Sequence, residues 1–431
     1  SKNGSYLKMA NTFSREVLGD GIQINSKLMS DDIYMYENGI YKMQPRKSLK
    51  LEIISYFQKA GTQLSTEVIQ NVLAQTEGLI YQRQPIPPGS YSGSKYEFET
   101  FIPMKNGILL IPKDYAVENI KLVPHSPDFF SLSKVPYEYD PNAKCPTFDK
   151  IVDESLPPEV RSFLEEWFGY QLIYNTSMGK AVIYLGEGSN SKSVIATVQG
   201  QLIGEENFTS IGIDAFDPAR TFNLAATEGK LANICEDMNE VNKVAEGLLK
   251  SFITGGRLTV ERKHRDPKTI FPTARLTFAT NTLPRFSDST DGIFRRLVIL
   301  PFTIQILDER KQNKNFINPL WWRESGELPG VLNLALKGLE RLMRRGHFVE
   351  PSISVNAKLS FRTESNSARQ FLTEFYEETS ENEILFSANL YEDYVNFCKN
   401  NGFQSMGANK FASELRRLFK SVKRSSSMRK D

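Results

Sequence analysis

The segment AVIYLGEGSNSKSVIATVQG, residues 181–200, sets the fold class of this 431-residue chain. Its apolar opening, Ala181 to Leu185, has the length and composition of a buried strand. Gly186-Glu187-Gly188-Ser189-Asn190-Ser191 is small, polar and glycine-bearing, and reads as a loop. Lys192-Ser193 and the Val/Ile/Ala-rich residues behind them read as a helix start. Strand, loop, Lys-Ser and helix form the layout of a phosphate-binding loop. Loop N–H groups and the helix N-terminus then face an anion, the lysine reaches the outer phosphates, and the serine hydroxyl takes a magnesium ion.

The usual pattern, G-x-x-x-x-G-K-[ST], has a second glycine where this chain has Ser191. Without that glycine the pattern arises by chance on the order of once in five chains of this length. An ordinary strand-to-helix turn therefore competes, and the surrounding residues must decide. Serine fits at position 191 if its φ is negative, whereas a positive φ strains it.

A chain of this length holds roughly two to four domains. Hydrophobic residues at 40% and charged residues at 24% are ordinary for a soluble protein. The formal net charge is only +2, so any nucleic-acid contact must be a local basic patch. Cys145, Cys235 and Cys398 are isolated, which argues for a reducing compartment and against disulfides or a cysteine zinc site. SKNGSYLKMANTFSRE (1–16) has no signal-peptide core, Ser1 in place of Met reads as a processed start, and no apolar run spans a membrane. The expected location is the cytoplasm.

Residues 1 to about 90 read as mainly helical, at Leu49–Lys59 and Ser65–Glu77, with a hairpin signal at Asn38-Gly39. QPIPPGSYSGSK (84–95) reads as a boundary, and FETFIPMKNGILLIP (98–112) as a strand pair turning at Lys105-Asn106-Gly107. Residues 120–150 are proline-punctuated and irregular. From Asp149 a helical stretch, including SLPPEVRSFLEEWFGYQLIY, leads into the phosphate-loop strand. Strands and helices then alternate to about 305, which predicts an α/β layer with a largely parallel sheet. Helices return at 318–350, residues 351–366 read as a connector, and 367–431 reads as helix, short extended piece (Ile384 to Ser387), two further helices and a basic tail.

Four further stretches bear on chemistry. KLANICEDMNE (230–240) is a short apolar run ending in Glu236-Asp237. Two acids at the end of a buried strand suit magnesium positioning and activation of an attacking water, or form a plain acidic turn. ARLTFATN (274–281) ends in Asn281, whose amide suits holding a lytic water near a γ-phosphate, or sits in a turn. FRRLVILPF (294–302) puts Arg295 and Arg296 before an apolar strand, either as a solvated pair or as a finger reaching a neighbour's nucleotide. TGGRLTVERKHRDPKTIFP (254–272) reads as a hairpin whose Arg262, Lys263, His264, Arg265 and Lys268 offer charge to a phosphate backbone, or as an exposed charged loop. His264 is too isolated to ligate a metal.

In this order and spacing the motifs resemble superfamily 3 helicases, the AAA+-related ring motors of viruses, phages and plasmids. They are most similar to the helicase half of phage- and plasmid-type primase-helicases. KNGILLIP (105–112) and PHSPDFFSLSKVPYEYDPNAKCP (124–146) resemble the poxvirus- and phage-type domain ahead of that helicase. FRTESNSARQFLTEF (361–375) and YEDYVNFCKNNGFQSMGANKFASELRR (391–417) resemble its C-terminal winged-helix segment. The likeness covers roughly residues 95–420 and extends to replication initiators of staphylococcal pathogenicity islands and cassettes.

The resemblance implies an AAA+-like P-loop core at 151–310 binding ATP and Mg2+. Around it stand a mainly helical region at 1–95, a pre-helicase domain at 96–150, a helical extension at 311–366 and a winged helix at 367–431. Lys192 and Ser193 become the phosphate and magnesium contacts, Glu236 and Asp237 the metal and water acids, and Asn281 the polar sensor. Lys263 with His264 marks the tip of a DNA-gripping hairpin, and Arg295 or Arg296 the finger acting on the next subunit. No primase centre is visible in the first 90 residues, so a separate primase or other replication proteins are expected partners. In FASELRRLF (411–419), burial of Phe411, Leu415 and Leu418 leaves Arg416 and Arg417 outward, for a major groove or simply for solvent.

The expected function is ATP-dependent unwinding of DNA in the replication of a mobile element or phage by a homo-oligomeric ring, expected to be a hexamer, with single-stranded and origin duplex DNA as partners. The alternative is a non-motor origin-binding initiator in which ATP only controls assembly. A small-molecule P-loop kinase is disfavoured, since it lacks an arginine-rich lid and leaves the basic hairpin without a role.

Overall fold

The computed structural model describes residues 2–18, 26–29, 32–81, 88–91, 100–188, 190–236, 246–262, 265–284, 291–305, 314–364, 366–377, 387–403 and 405–422. Helix α1 (Lys2–Phe13) runs into a widened π-helical turn at Ser14–Leu18. Strands β1 (Ser26–Met29), β2 (Asp32–Glu37) and β3 (Ile40–Gln44) form an antiparallel sheet. Asn38 and Gly39 take φ of 50° and 90°, the positive pair that a two-residue hairpin turn demands. Helices α2 (Arg46–Lys59) and α3 (Thr66–Ile80) follow, and Phe13, Ile33, Leu49, Ile53, Val72 and Ile80 share a small core of their own.

Strands β4 (Ser90–Tyr91), β5 (Thr100–Met104), β6 (Gly107–Ile111), β7 (Lys121–Val123) and β8 (Phe129–Phe130) come next. β5, β6 and β7 form an antiparallel meander, with the β5–β6 turn where Asn106-Gly107 signals it, while β4 pairs with β8. The helical stretch that begins near Asp149 is two helices, α4 (Pro146–Ser155) and α5 (Pro158–Tyr170). Pro157 and Pro158 cannot donate to α4's ladder, yet Pro158 suits the first turn of α5.

The central layer comprises β9 (Ala181–Leu185), α6 (Lys192–Ile203), β10 (Phe208–Thr209), β11 (Ala232–Cys235) and α7 (Glu246–Ile253). It continues with the hairpin β12 (Leu258–Arg262) and β13 (Arg265–Ile270), then β14 (Arg275–Thr280), α8 (Asp291–Phe294) and β15 (Leu297–Pro301). Five of these strands form one parallel sheet in the order β10-β11-β14-β9-β15. β14, which follows β11 by about forty residues of chain, is inserted between β11 and β9, so the ends of β9, β11 and β14 open side by side onto one edge. Their side chains are buried on both faces, as a covered parallel sheet requires.

Helices α9 (Pro319–Glu324), α10 (Leu328–Arg345), α11 (Ser352–Glu364), α12 (Ser367–Phe375), α13 (Ser387–Asn400) and α14 (Ala408–Leu418) complete the chain. The expected connector at 351–366 is in fact largely helix α11, which lies against β15 and buries Phe361 beside Phe294. A single core on one side of the sheet joins β5, β6, α4, α5, α6 and α10, so the expected boundaries at 150 and 310 run through shared packing. α5 and α10 touch backbone to backbone: a Cβ on Gly169 would lie 2.2 Å from the Ala335 carbonyl oxygen, and one on Gly338 2.3 Å from that of Glu165. Any larger residue at either position forces the helices apart.

A buried polar network fixes α6 to the sheet. Gln199 Nε2 donates to Thr277 Oγ1 at 2.8 Å and to Gln171 Oε1 at 3.0 Å, and Tyr184 Oη donates to Gln199 Oε1 at 2.8 Å. Trp167 Nε1 donates to the same Thr277 oxygen at 2.9 Å, and each of these buried groups is satisfied within the network.

At the C-terminus α12, α13 and α14 close around Phe371, Tyr394 and Phe411, the last two stacked with ring centroids 4.5 Å apart. Ser387 begins α13 and so is not extended, while Ile384 to Phe386 lie outside the described residues. The described part of this unit is a three-helix cluster, with no strand among the described residues of the expected winged helix.

Candidate nucleotide and nucleic-acid site

β9 delivers the chain into the loop at Gly186, whose N–H donates to the Thr280 carbonyl at 3.2 Å. Gly186 has no room for a side chain, because a Cβ would lie 2.1 Å from Asn190 Nδ2 and 2.8 Å from the Phe302 carbonyl oxygen. Asn190 is 3% exposed and donates to that carbonyl at 2.9 Å. Its side chain therefore staples the loop to the end of β15 and does not face outward with the loop backbone. Gly188 takes φ of 110°, a left-handed conformation that glycine supplies without strain. Glu187 lies in the described loop between the two glycines, and Ser189 lies outside the described residues.

Ser191 resolves the conditional posed by the sequence: its φ is 62° and its ψ 4°. A non-glycine residue there costs about 1 kcal/mol. Its Oγ accepts a hydrogen bond from Ser155 Oγ at 2.8 Å, which offsets part of that cost. Ser191→Ala loses the bond and keeps the strain, whereas Ser191→Gly removes the strain. We expect the alanine variant to be less stable than the glycine variant by about 1 kcal/mol in urea unfolding; equal stabilities would contradict the strain.

Helix α6 starts on Lys192, which is 7% exposed. Its ammonium donates to the Gly186 carbonyl at 2.8 Å, the Thr280 carbonyl at 2.9 Å and Asn281 Oδ1 at 2.7 Å. The structure thus brings Lys192 and Asn281 together from two motifs 89 residues apart. These three hydrogen bonds go to neutral oxygens, and an anion drawn to the helix N-terminus would add a charged acceptor. Ser193 stands in the first turn of α6, half-buried beside it.

Glu236 follows β11 directly, and β11 lies next to β14 with Cys235 opposite Phe278, so Glu236 and Asn281 emerge at the same sheet edge. Glu236 reaches solvent, but surrounding atoms strip part of its hydration and raise its carboxyl pKa above the usual value. Asp237 lies outside the described residues. Among the described residues no group of three or more His, Cys, Asp or Glu is placed to hold a metal ion. A magnesium ion held largely by phosphates and water needs only one or two protein oxygens, so Ser193 and Glu236 fit it as second contributors.

Arg295 and Arg296 stand at the other end of the sheet. β15 runs parallel to β9 with Leu297 opposite Ala181, so the arginines precede the strand whose far end adjoins the loop at 186–191, about 13 Å along. Arg296 Nη1 donates to the Gly292 carbonyl at 2.7 Å, whereas the Arg295 side chain is exposed. The Arg295 carbonyl accepts from Lys180 Nζ at 2.7 Å, and Lys180 is held by Glu350 at 2.7 Å. Glu350 also pairs with Lys358 of α11. Burial alone would raise its pKa, but hydrogen bonds from both lysines outweigh that and lower it. Sequence reasoning missed this anchor; two lysines flanking apolar strands and helices gave no periodic signal for it.

The hairpin forms as the spacing predicts, with Arg262 opposite Arg265 in register, and Lys263 and His264 at its tip lie outside the described residues. Arg262 does not reach outward, since its Nη1 pairs with Asp32 at 3.2 Å. Lys268 likewise pairs with Asp32 at 2.6 Å and Glu228 at 2.7 Å. On α14 Phe411 is buried, Leu415 and Leu418 are half-buried and Arg416 is exposed, while Arg417 pairs with buried Glu414 at 2.8 Å.

Three family models match this chain. A D5 N terminal-like family covers residues 16–157, a family of unknown function (DUF5906) covers 184–296, and a Poxvirus D5 protein-like family covers 363–430. Among solved structures, the chain is similar to the apo C-terminal region of NrS-1 at 15% identity and a TM-score of 0.47, over 79% of this chain and 72% of that one. It is also similar to the active helicase SCCmec type IV Cch at 14% identity and a TM-score of 0.37, over 90% and 86% respectively. No helix among the described residues is long and apolar enough to cross a membrane.

Proposed function

We propose that this chain, related to the primase-helicases of phages and mobile elements through its D5-type segments at both ends, is an ATP-dependent replicative DNA helicase. The observation that carries the reading is the meeting of Lys192 with Asn281 at the edge where Glu236 also emerges. That edge joins an anion-seeking helix N-terminus, a cation, a carboxylate and an uncharged amide, the parts phosphoryl transfer to water requires. In this reading the core is AAA+-like, consistent with a P-loop strand set between β14 and β15.

Bound ATP would lie along residues 186–193, with Mg2+ near Ser193 and Glu236. The ion would offset charge building on the phosphates. Lys192 would leave its carbonyl partners for the phosphates, and Asn281, released from the lysine, would orient water. Arg295, at the opposite sheet end, serves a nucleotide held by the neighbouring subunit of a ring. A hexamer is the proposed assembly, with Lys263 and His264 gripping single-stranded DNA in the pore and Arg416 on duplex or a partner protein. Single-stranded DNA should raise the rate of ATP turnover; an initiator that uses ATP only to assemble would be indifferent to it.

A further inference from the structure

The stem of the β12–β13 hairpin changes character along its length. Near its base Leu258, Val260 and Ile270 are buried in the apolar cluster that contains Phe216, Leu224 and Phe252. They alternate with exposed Thr259, Glu261 and Thr269. Towards the tip the inward positions carry Lys268 and Arg262, with side chains only 12% and 16% exposed. Both meet Asp32, the first residue of β2, which is itself 2% exposed.

The cluster extends further. Lys268 also pairs with Glu228, in the turn leading into β11, and lies 3.3 Å from Tyr34 Oη. Tyr34 Oη donates to Glu228 Oε1 at 3.3 Å. The Tyr34 pKa is pushed up to about 12, first by burial and then by Glu228, so the phenol stays a donor. The N-terminal sheet is itself fixed to the middle of the chain: Tyr41 N–H donates to the Ser131 carbonyl at 2.8 Å, and Tyr34 and Tyr41 pack edge-on or tilted against Phe130.

We infer that Asp32 is a positioning residue that makes the N-terminal sheet a brace for the neck of the hairpin. Core packing holds the base of the stem, and Asp32 takes over where apolar side chains give way to cations. Buried charges of one sign hold a geometry only while their counter-charge is present. Without Asp32, Lys268 keeps Glu228 but the carboxylate shared by Arg262 and Lys268 is gone, the two cations are no longer drawn onto the N-terminal sheet, and the neck is released. Through Glu228 the same cluster ties the neck to the strand that presents Glu236. The functional consequence rests on the hairpin being the DNA-gripping element; the brace itself does not.

The test is Asp32→Asn in the full chain, read first by amide hydrogen exchange. Exchange across 258–270 should quicken on the order of tenfold while β9 and β14 keep their protection. Glu261→Gln, an exposed hairpin charge outside the cluster, should change nothing. If Asp32→Asn loses its cooperative unfolding transition altogether, Arg262→Gln replaces it, with several-fold faster exchange expected in the hairpin alone. Unchanged hairpin protection in a folded variant overturns the brace. The second readout is duplex displaced per ATP consumed, expected to fall about tenfold with turnover preserved. Undiminished displacement alongside a loosened hairpin overturns the coupling. Absence of displacement in the unsubstituted protein instead strikes the helicase reading and leaves the brace judged by exchange.

Discussion

Lys192→Ala is expected to cut ATP turnover on the order of a thousandfold or more. The ammonium lies 2.8 Å from the Gly186 carbonyl of the loop and holds Asn281 Oδ1 at 2.7 Å, where the proposed reading puts the outer phosphates. Removing it takes away charge stabilisation in the transition state and, before ATP binds, the partner that holds Asn281 at the site. Because Lys192 bonds two backbone carbonyls as well, the loop should loosen, and a thermal melt would register a modest loss of stability. Steady-state phosphate release measures the main effect. Turnover near that of the unsubstituted protein would remove residues 186–193 from the site.

Arg295→Ala is expected to lower turnover on the order of a thousandfold while leaving ATP binding intact. The side chain is exposed at the end of the sheet away from residues 186–193 of its own chain, so in the proposed ring it would serve a neighbour's nucleotide. Arg296, bonded to the Gly292 carbonyl, is part of the turn and its loss should chiefly affect stability. Mixing supplies the decisive comparison. A ring containing both Lys192→Ala and Arg295→Ala subunits has some interfaces with an intact lysine on one side and an intact arginine on the other. Turnover should therefore reappear when the two inactive proteins are combined, and its failure to do so would place the arginine outside the shared site.

Much of the central layer was legible because its signals are local. A five-residue apolar strand, a glycine-bearing loop and Lys-Ser predicted β9 and α6, and Asn38-Gly39 and Asn106-Gly107 fixed two turns by their demand for unusual backbone angles. The insertion of β14 between β11 and β9, which brings Asn281 to Lys192, is a tertiary pairing that no local pattern encodes. Helix α11 was hidden because Ser352–Glu364 mixes serines and charges with scattered apolar residues, and its helicity is settled by packing on β15. The sequence left the sign of φ at Ser191 open, and the fold answers it with a strained serine. Asp32 gave no signal at all, since a single acid at a strand start is ordinary until its two cations arrive from more than two hundred residues away. Asp237, Lys263 and His264 rest on sequence alone.

The central claim is that this chain couples ATP hydrolysis to movement on DNA. It is tested most directly by measuring ATP turnover of the full chain in Mg2+ with and without single-stranded DNA, on a forked duplex whose strand separation is followed in the same reaction. A motor should turn over several-fold faster with DNA and separate strands with ATP but not with a non-hydrolysable analogue. Turnover indifferent to DNA, with no strand separation beyond that produced by the analogue, would contradict it.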